Sequence, residues 1–120
     1  MAKKINNLGR SGEQIAARFL ESKGLKVLER NWRYGRLEID LILKDGPQIV
    51  FLEVKTACLA NRNLVFGYFK RRQIERIKKA ALVYVRRHGF CLEHCRFDLL
   101  AVVVDAARGT GVVRHFADVI

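Results

Sequence analysis

Apolar side chains recur at helical spacing between residues 11 and 24, where Ile15, Ala16, Ala17, Phe19 and Leu20 form one continuous arc on a wheel of 100° per residue. Ser11 with Gln14 makes a capping-box pattern and Gly24 is a favourable residue just past a helix end, so a helix is predicted from Ser11 to before Gly24. The period then changes. Residues 26–32 read as a strand, and within residues 37–56 the runs on either side of Asp45-Gly46-Pro47-Gln48, which has turn composition, read as two more. Residues 57–68 have no clear period and are expected to be a loop beside the hairpin. Helical spacing returns from Phe69 to His88, with Ile74, Ile77, Ala80, Ala81, Tyr84 and Val85 on one arc and Gly89 as the stop. The apolar run 96–104 suits the interior of a sheet, and 112–116 is predicted as an edge strand. The order α-β-β-β-α-β-β predicts an α/β fold, a mixed sheet flanked by helices, in one domain over residues 1–120.

Within the central hairpin the alternation puts Leu37, Ile39, Leu41 and Leu43 on one face, and Val50, Leu52 and Val54 on the matching face of the next strand. Joining these faces pairs 41 with 52 and 39 with 54, which sets Asp40 opposite Glu53 and Glu38 opposite Lys55. Paired carboxylates repel unless a cation lies between them. A divalent metal such as Mg²⁺ fits, because it takes hard oxygen ligands and leaves positions for water and phosphate. Lys55 stands where it could orient or deprotonate a water or stabilise developing charge. The plainer alternative is a surface hairpin with a Glu-Lys pair. Glu13 falls inside the apolar arc of the first helix; it can be a functional carboxylate or simply favour the helix macrodipole.

Charge adds a partner. The chain has 23 Lys and Arg against 12 Asp and Glu, a formal charge of +11, which points to a polyanion and to nucleic acid first. Acidic lipid or an acidic protein is the alternative. On the second helix Arg71, Arg72, Arg76, Lys78, Lys79, Arg86 and Arg87 spread over the half opposite the apolar arc, a surface for a phosphate backbone, and Lys70 and Gln73 lie at its start, within reach of a scissile phosphate. No apolar run long enough for a membrane span is present, and residues 1–9 lack a signal-peptide core, so the expected compartment is the cytoplasm and the three cysteines are expected as free thiols. His88, Cys91, His94 and Cys95 are too closely spaced for a usual structural zinc site and are read as a helix-to-strand connection with Cys95 entering the core. Trp32 and Tyr34 are read as packing residues rather than base-stacking ones. Asp98 is the anomaly of its apolar strand, expected to bond a neighbouring loop or a lysine, and is left outside the catalytic set.

Asp40 followed by Glu53-Val54-Lys55 resembles the PD-(D/E)xK nuclease motif. The strings Glu38-Ile39-Asp40-Leu41-Ile42 and Phe51-Leu52-Glu53-Val54-Lys55-Thr56, with Gly12-Glu13 and Cys95-Arg96-Phe97-Asp98, resemble the small bacterial YraN-type proteins of that superfamily. The resemblance implies a restriction-endonuclease-like core with Asp40 and Glu53 as metal ligands, the Val54 carbonyl as a third, and Lys55 as the catalytic amine. Archaeal Holliday-junction resolvases are similar in adding a first-helix glutamate, here Glu13. Glu38 is then a partner of Lys55 or a support to the ligands. This chain departs from the YraN pattern in carrying Leu37 before Glu38, where glycine is usual, and Ala57 after Lys55-Thr56, where a basic residue is usual.

The resulting expectation is an endonuclease dependent on Mg²⁺ or Mn²⁺, acting on DNA, branched or structured, before RNA. The rival is a nucleic-acid-binding module that cuts nothing and works beside a partner enzyme. A homodimer would match a duplex with two strands to cut.

Overall fold

The computed structural model describes residues 8–58, 71–105 and 107–119, with helical side chains described from Gly12 and from Arg72 onward. Helix α1 (Leu8–Ser22) is followed by β1 (Lys26–Tyr34), β2 (Leu37–Asp45), β3 (Gln48–Cys58), α2 (Arg71–His88), a 3₁₀ turn at Leu92–His94, β4 (Cys95–Asp105) and β5 (Thr110–Phe116). The five strands form one sheet in chain order, antiparallel except for the parallel β3–β4 pair. A parallel pair needs a crossover, and α2 lies in it. The α-β-β-β-α-β-β order and the mixed, helix-flanked sheet are those expected from the sequence, and β5 is an edge strand.

Each helix buries one face of the sheet. Ala16, Ala17 and Leu20 of α1 pack on Leu41, Leu43, Val50, Leu52, Val54, Leu100 and Val102. Ile77, Ala80, Ala81, Tyr84 and Val85 of α2 pack on Ile39, Ile42, Ile49 and Phe51, with Trp32 edge-on to Tyr84 at 5.3 Å. Burying both faces explains the near-continuous apolar runs of β3 and β4, which belong to the interior of the sheet. Trp32 therefore packs, and Cys95 lies against the same cluster. Tyr34 is different: it is 44% exposed, and Arg87 sits over its ring at 4.9 Å.

The helix and strand bounds differ modestly from the sequence reading. Helix α1 begins at Leu8, so Ser11 lies inside it and is not its cap; tertiary contacts set the end of such a helix as much as capping preference does. Gly12 makes one such contact. A Cβ there would overlap the Thr56 side chain and lie 2.9 Å from its Cβ, so only glycine lets α1 approach β3 this closely. Strand β1 runs to Tyr34 rather than residue 32, and β3 continues through Ala57 and Cys58, which had been assigned to a loop. The rest of that loop, and Lys70, lie outside the described residues.

Candidate functional site

The hairpin register is borne out at the turn and broken at the charges. Leu41 pairs with Leu52 and Asp45 with Gln48 around a two-residue turn, Gly46-Pro47, with Gly46 in the left-handed region. Beyond Leu41↔Leu52 the β2–β3 ladder stops, so Ile39 does not pair with Val54, nor Asp40 with Glu53, nor Glu38 with Lys55. The cause is visible in the faces. Leu41 packs under α1 and Ile39 under α2, although they are two positions apart and simple alternation would put them together. Leu37 likewise moves to the α2 side.

The neighbouring strand makes the same switch. Arg30 lines a cavity with Glu13 and Gln14 of α1, whereas Trp32 packs under α2. The pairs Arg30↔Leu41 and Trp32↔Ile39 leave Asn31 facing Asp40 at the switch point, and Asn31 has φ 51°. An asparagine tolerates this left-handed conformation better than most residues. With one residue of each strand absorbing the turn, register is kept, and Asp40 is rotated out of the alternation toward β3. Its Oδ2 accepts the Val54 N–H at 2.8 Å, the donor that a continued ladder would have used.

Asp40 consequently borders two cavities. One, of about 200 Å³ on the α2 side, is lined by Glu38, Asp40 and Glu53 with Arg36, Gln73, Arg76 and Ile77. The other, on the α1 side, brings Glu13 and Gln14 to Asp40 with Arg30 and Asn31. Glu53 and Asp40 are within hydrogen-bonding reach of each other, and the Lys55 Nζ is 3.5 Å from Glu53 Oε1. Burial, then the charge of Asp40, pushes the Glu53 carboxyl up to about 8 against the pull of Lys55. Burial also raises Asp40, against the Val54 N–H and Glu53 bonds. Two desolvated carboxylates this close favour a proton or a cation between them.

Asp40, Glu53, Lys55 and Glu38 are thus brought together, and Glu13 reaches Asp40 through the other cavity. The Val54 carbonyl leaves β3 on the same side as its N–H, toward the opening. Among the described residues no three His, Cys, Asp or Glu side chains converge into a metal cage. Two carboxylates and a carbonyl still fit Mg²⁺, which is held by one or two carboxylates and keeps positions for water and phosphate. On α2, Gln73 and Arg76 line the cavity while Arg72, Lys78, Lys79 and Arg86 are exposed; the Arg71 side chain is not described. Arg36, Arg30 and Asn31 were missed by sequence reasoning. Arg36 follows Gly35 in a two-residue hairpin turn, a signal that was legible; the switch at Asn31 was not.

Asp98 is buried and apart from this site. It accepts two bonds from Arg96 (both 2.9 Å), one from the Asp118 N–H (2.9 Å), and pairs with His115 Nε2 at 2.7 Å, rather than with a lysine. Burial works to raise its pKa, but these partners hold it down at about 2. His88 stacks on Tyr84 at 3.9 Å, and the Cys95 thiol bonds the Cys91 carbonyl, an ordinary helix-to-strand connection. Cys58, Cys91 and Cys95 are free thiols. Among the described residues no helix is long and apolar enough to cross a membrane.

Fold and site together define an α/β protein of restriction-endonuclease-like architecture, with paired carboxylates and a lysine where two strands part. The chain belongs to the family described as Uncharacterised protein family UPF0102, whose pattern matches residues 12–102. A UPF0102 protein of Beutenbergia cavernae is 36% identical over 116 residues, 93% of this chain and 94% of that one. Those of Pelotomaculum thermopropionicum (36% over 109 residues, 91% of each) and Chlorobium limicola (37% over 122 residues, 94% and 91%) are similarly close. The YraN-type resemblance led to this family.

Proposed function

We propose that this protein is a divalent-metal-dependent endonuclease that hydrolyses phosphodiester bonds in nucleic acid, DNA before RNA, in the cytoplasm. The observation that carries the proposal is the Asp40–Glu53 pair: two part-buried carboxylates within reach of each other beside Lys55, where the ladder is interrupted to receive Asp40. A purely structural pair would be better replaced by apolar residues, since buried charge is costly. Mg²⁺ or Mn²⁺ would be held by Asp40, Glu53 and the Val54 carbonyl, with Glu13 able to join from the α1 side through Asp40's second cavity. When bound, the ion would polarise the phosphate and acidify a water.

The residues of the chain supply the rest. The Val54 N–H fixes the Asp40 carboxylate, and Glu53 holds the Lys55 ammonium at the rim of the pair. Lys55 can orient the water or neutralise charge on the leaving oxygen. Glu38, paired with Arg33 at 3.4 Å, adds negative charge to the cavity without taking Lys55 as a ladder partner. Arg72, Arg76 and Lys79 of α2, with Arg71, Lys70 and Gln73 at its start, would engage the phosphate backbone. A homodimer would place one such site on each strand of a duplex.

The test is cleavage of a labelled panel of single strand, duplex, flap, four-way junction and RNA, with Mg²⁺, Mn²⁺ or chelator. Metal-dependent cutting that disappears in Asp40→Asn and Lys55→Ala supports the nuclease. Salt-sensitive binding without cutting, unchanged in both variants, leaves only a binding module.

A further inference from the structure

The cavity beside Asp40 and Glu53 is also lined by two cations. Arg36 and Arg76 both line it, yet among the described residues neither guanidinium forms an ion pair. Glu53 takes Lys55 instead, and Glu38 takes Arg33. Their positions are fixed by backbone. Gly35, at φ 59°, opens a two-residue turn between the paired ends Tyr34 and Leu37, so Arg36 lies at the tip of the β1–β2 hairpin. Arg76 Nη2 donates to the Arg36 carbonyl at 3.0 Å, tying that tip to α2. The bond occupies one donor of Arg76 and none of the Arg36 side chain.

We infer that Arg36 and Arg76 form a phosphate seat, in which two guanidiniums hold the non-bridging oxygens of a nucleic-acid phosphodiester against the Asp40–Glu53 pair. The inference rests on the nuclease reading and adds to it the group that places the substrate. A guanidinium suits the task because it stays charged and offers a planar fork matching two phosphate oxygens. The seat also explains why a basic turn tip is bonded to a basic helix. Two like-charged side chains are held near one another, a repulsive arrangement that a bound phosphate relieves. The remaining α2 cations lie further along an exposed face and supply nonspecific attraction.

The seat predicts a difference between losing charge and losing the fork. Affinity of the full-length protein for a short labelled duplex would be measured in chelator at fixed salt, and cleavage in Mg²⁺, for Arg36→Ala, Arg36→Lys, Arg76→Ala and Arg76→Lys. Arg18→Ala and Arg18→Lys, at an exposed position of α1, are the charge controls. Arg36→Ala and Arg36→Lys are both expected to weaken binding or slow cleavage by about tenfold to a hundredfold. Arg18→Lys should match the parent, with Arg18→Ala losing only a few-fold. The Arg36 variants keep the carbonyl that Arg76 uses, so they remove the fork without releasing the turn. If the parent binds and cuts but Arg36→Lys and Arg76→Lys behave like Arg18→Lys, the seat is wrong and the nuclease reading stands. If the parent neither binds nor cuts, both fall together.

Discussion

Asn31 and Asp40 face each other at the point where β1 and β2 both change sides of the sheet, one with a left-handed backbone and the other with its carboxylate turned onto the Val54 N–H. Neither strand loses register, because the distortion in one matches that in the other. The site therefore depends on a backbone event at Asn31, which also lines the cavity shared by Glu13 and Asp40.

Asn31→Gly is expected to stay within about 1 kcal/mol of the parent, because glycine takes φ 51° without strain. Asn31→Val should cost about 1–3 kcal/mol, since a branched side chain resists that conformation. Urea unfolding gives the comparison. Hydrogen exchange at the Val54 amide should quicken in the valine variant alone if the switch orients Asp40.

Removing the amine should leave the fold intact and slow the chemistry. Lys55→Ala is expected to reduce single-turnover cleavage by about 10²–10⁴-fold, the usual range for a positioned proton-transfer group. Unchanged cleavage would remove Lys55 from the reaction.

The carboxylate pair sets a pH dependence with a definite sign. Glu53 is raised from 4.5 to about 8 in the metal-free fold, so between these values the native state holds a proton that the unfolded chain has released. Stability should fall as pH rises through that window, and Glu53→Gln should flatten the profile. Mg²⁺ must displace the same proton, so its affinity should climb toward pH 8 with measurable proton release by calorimetry in buffers of different ionisation enthalpy.

At Asp98, on β4, the sign reverses. Asp98 is lowered from 3.8 to about 2, so its stabilisation is complete above 3.8 and is lost as pH falls through 2. Asp98→Ala removes the partner of His115 and of the Asp118 N–H, while Arg96 keeps Asp45 and Gln48, and is expected to destabilise by about 1–3 kcal/mol. Chemical unfolding would show this. Amide exchange should locate the loosening at β5 and residue 118, which Asp98 fastens to β4.

Gly12→Ala should be destabilising by about 1–3 kcal/mol, because its Cβ would overlap Thr56 in a closely packed contact. Adding Thr56→Ala should recover part of the loss, the remaining Cβ still standing 2.9 Å away. Thermal melts of the single and double variants test the contact between α1 and β3.

Much of this fold follows from local pattern. The α2 arc of Ile77, Ala80, Ala81, Tyr84 and Val85 is buried as its helical spacing requires, and Gly46-Pro47 turns the hairpin in the register that Leu41 and Leu52 impose. The grouping of Asp40, Glu53 and Lys55 was also legible, since Asp40 and Glu53 stand equally far from the Gly46-Pro47 turn of one hairpin. The reason first assigned to that grouping was wrong, because strict alternation does not hold at Asp40.

By itself the sequence determined the order of elements, the faces that must be buried, the surplus of positive charge and the carboxylates that stand on the central hairpin. Periodicity and composition act locally, so they can be read one segment at a time. Only the tertiary structure decided that Asp40 leaves the alternation, that Glu13 meets it through a second cavity, and that Arg36 and Arg76 share the cavity with the carboxylates. Those facts depend on the opening of β2 from β3 and the docking of α2 across the β1–β2 turn. Both are settled by contacts between residues distant in the chain, to which no local period corresponds.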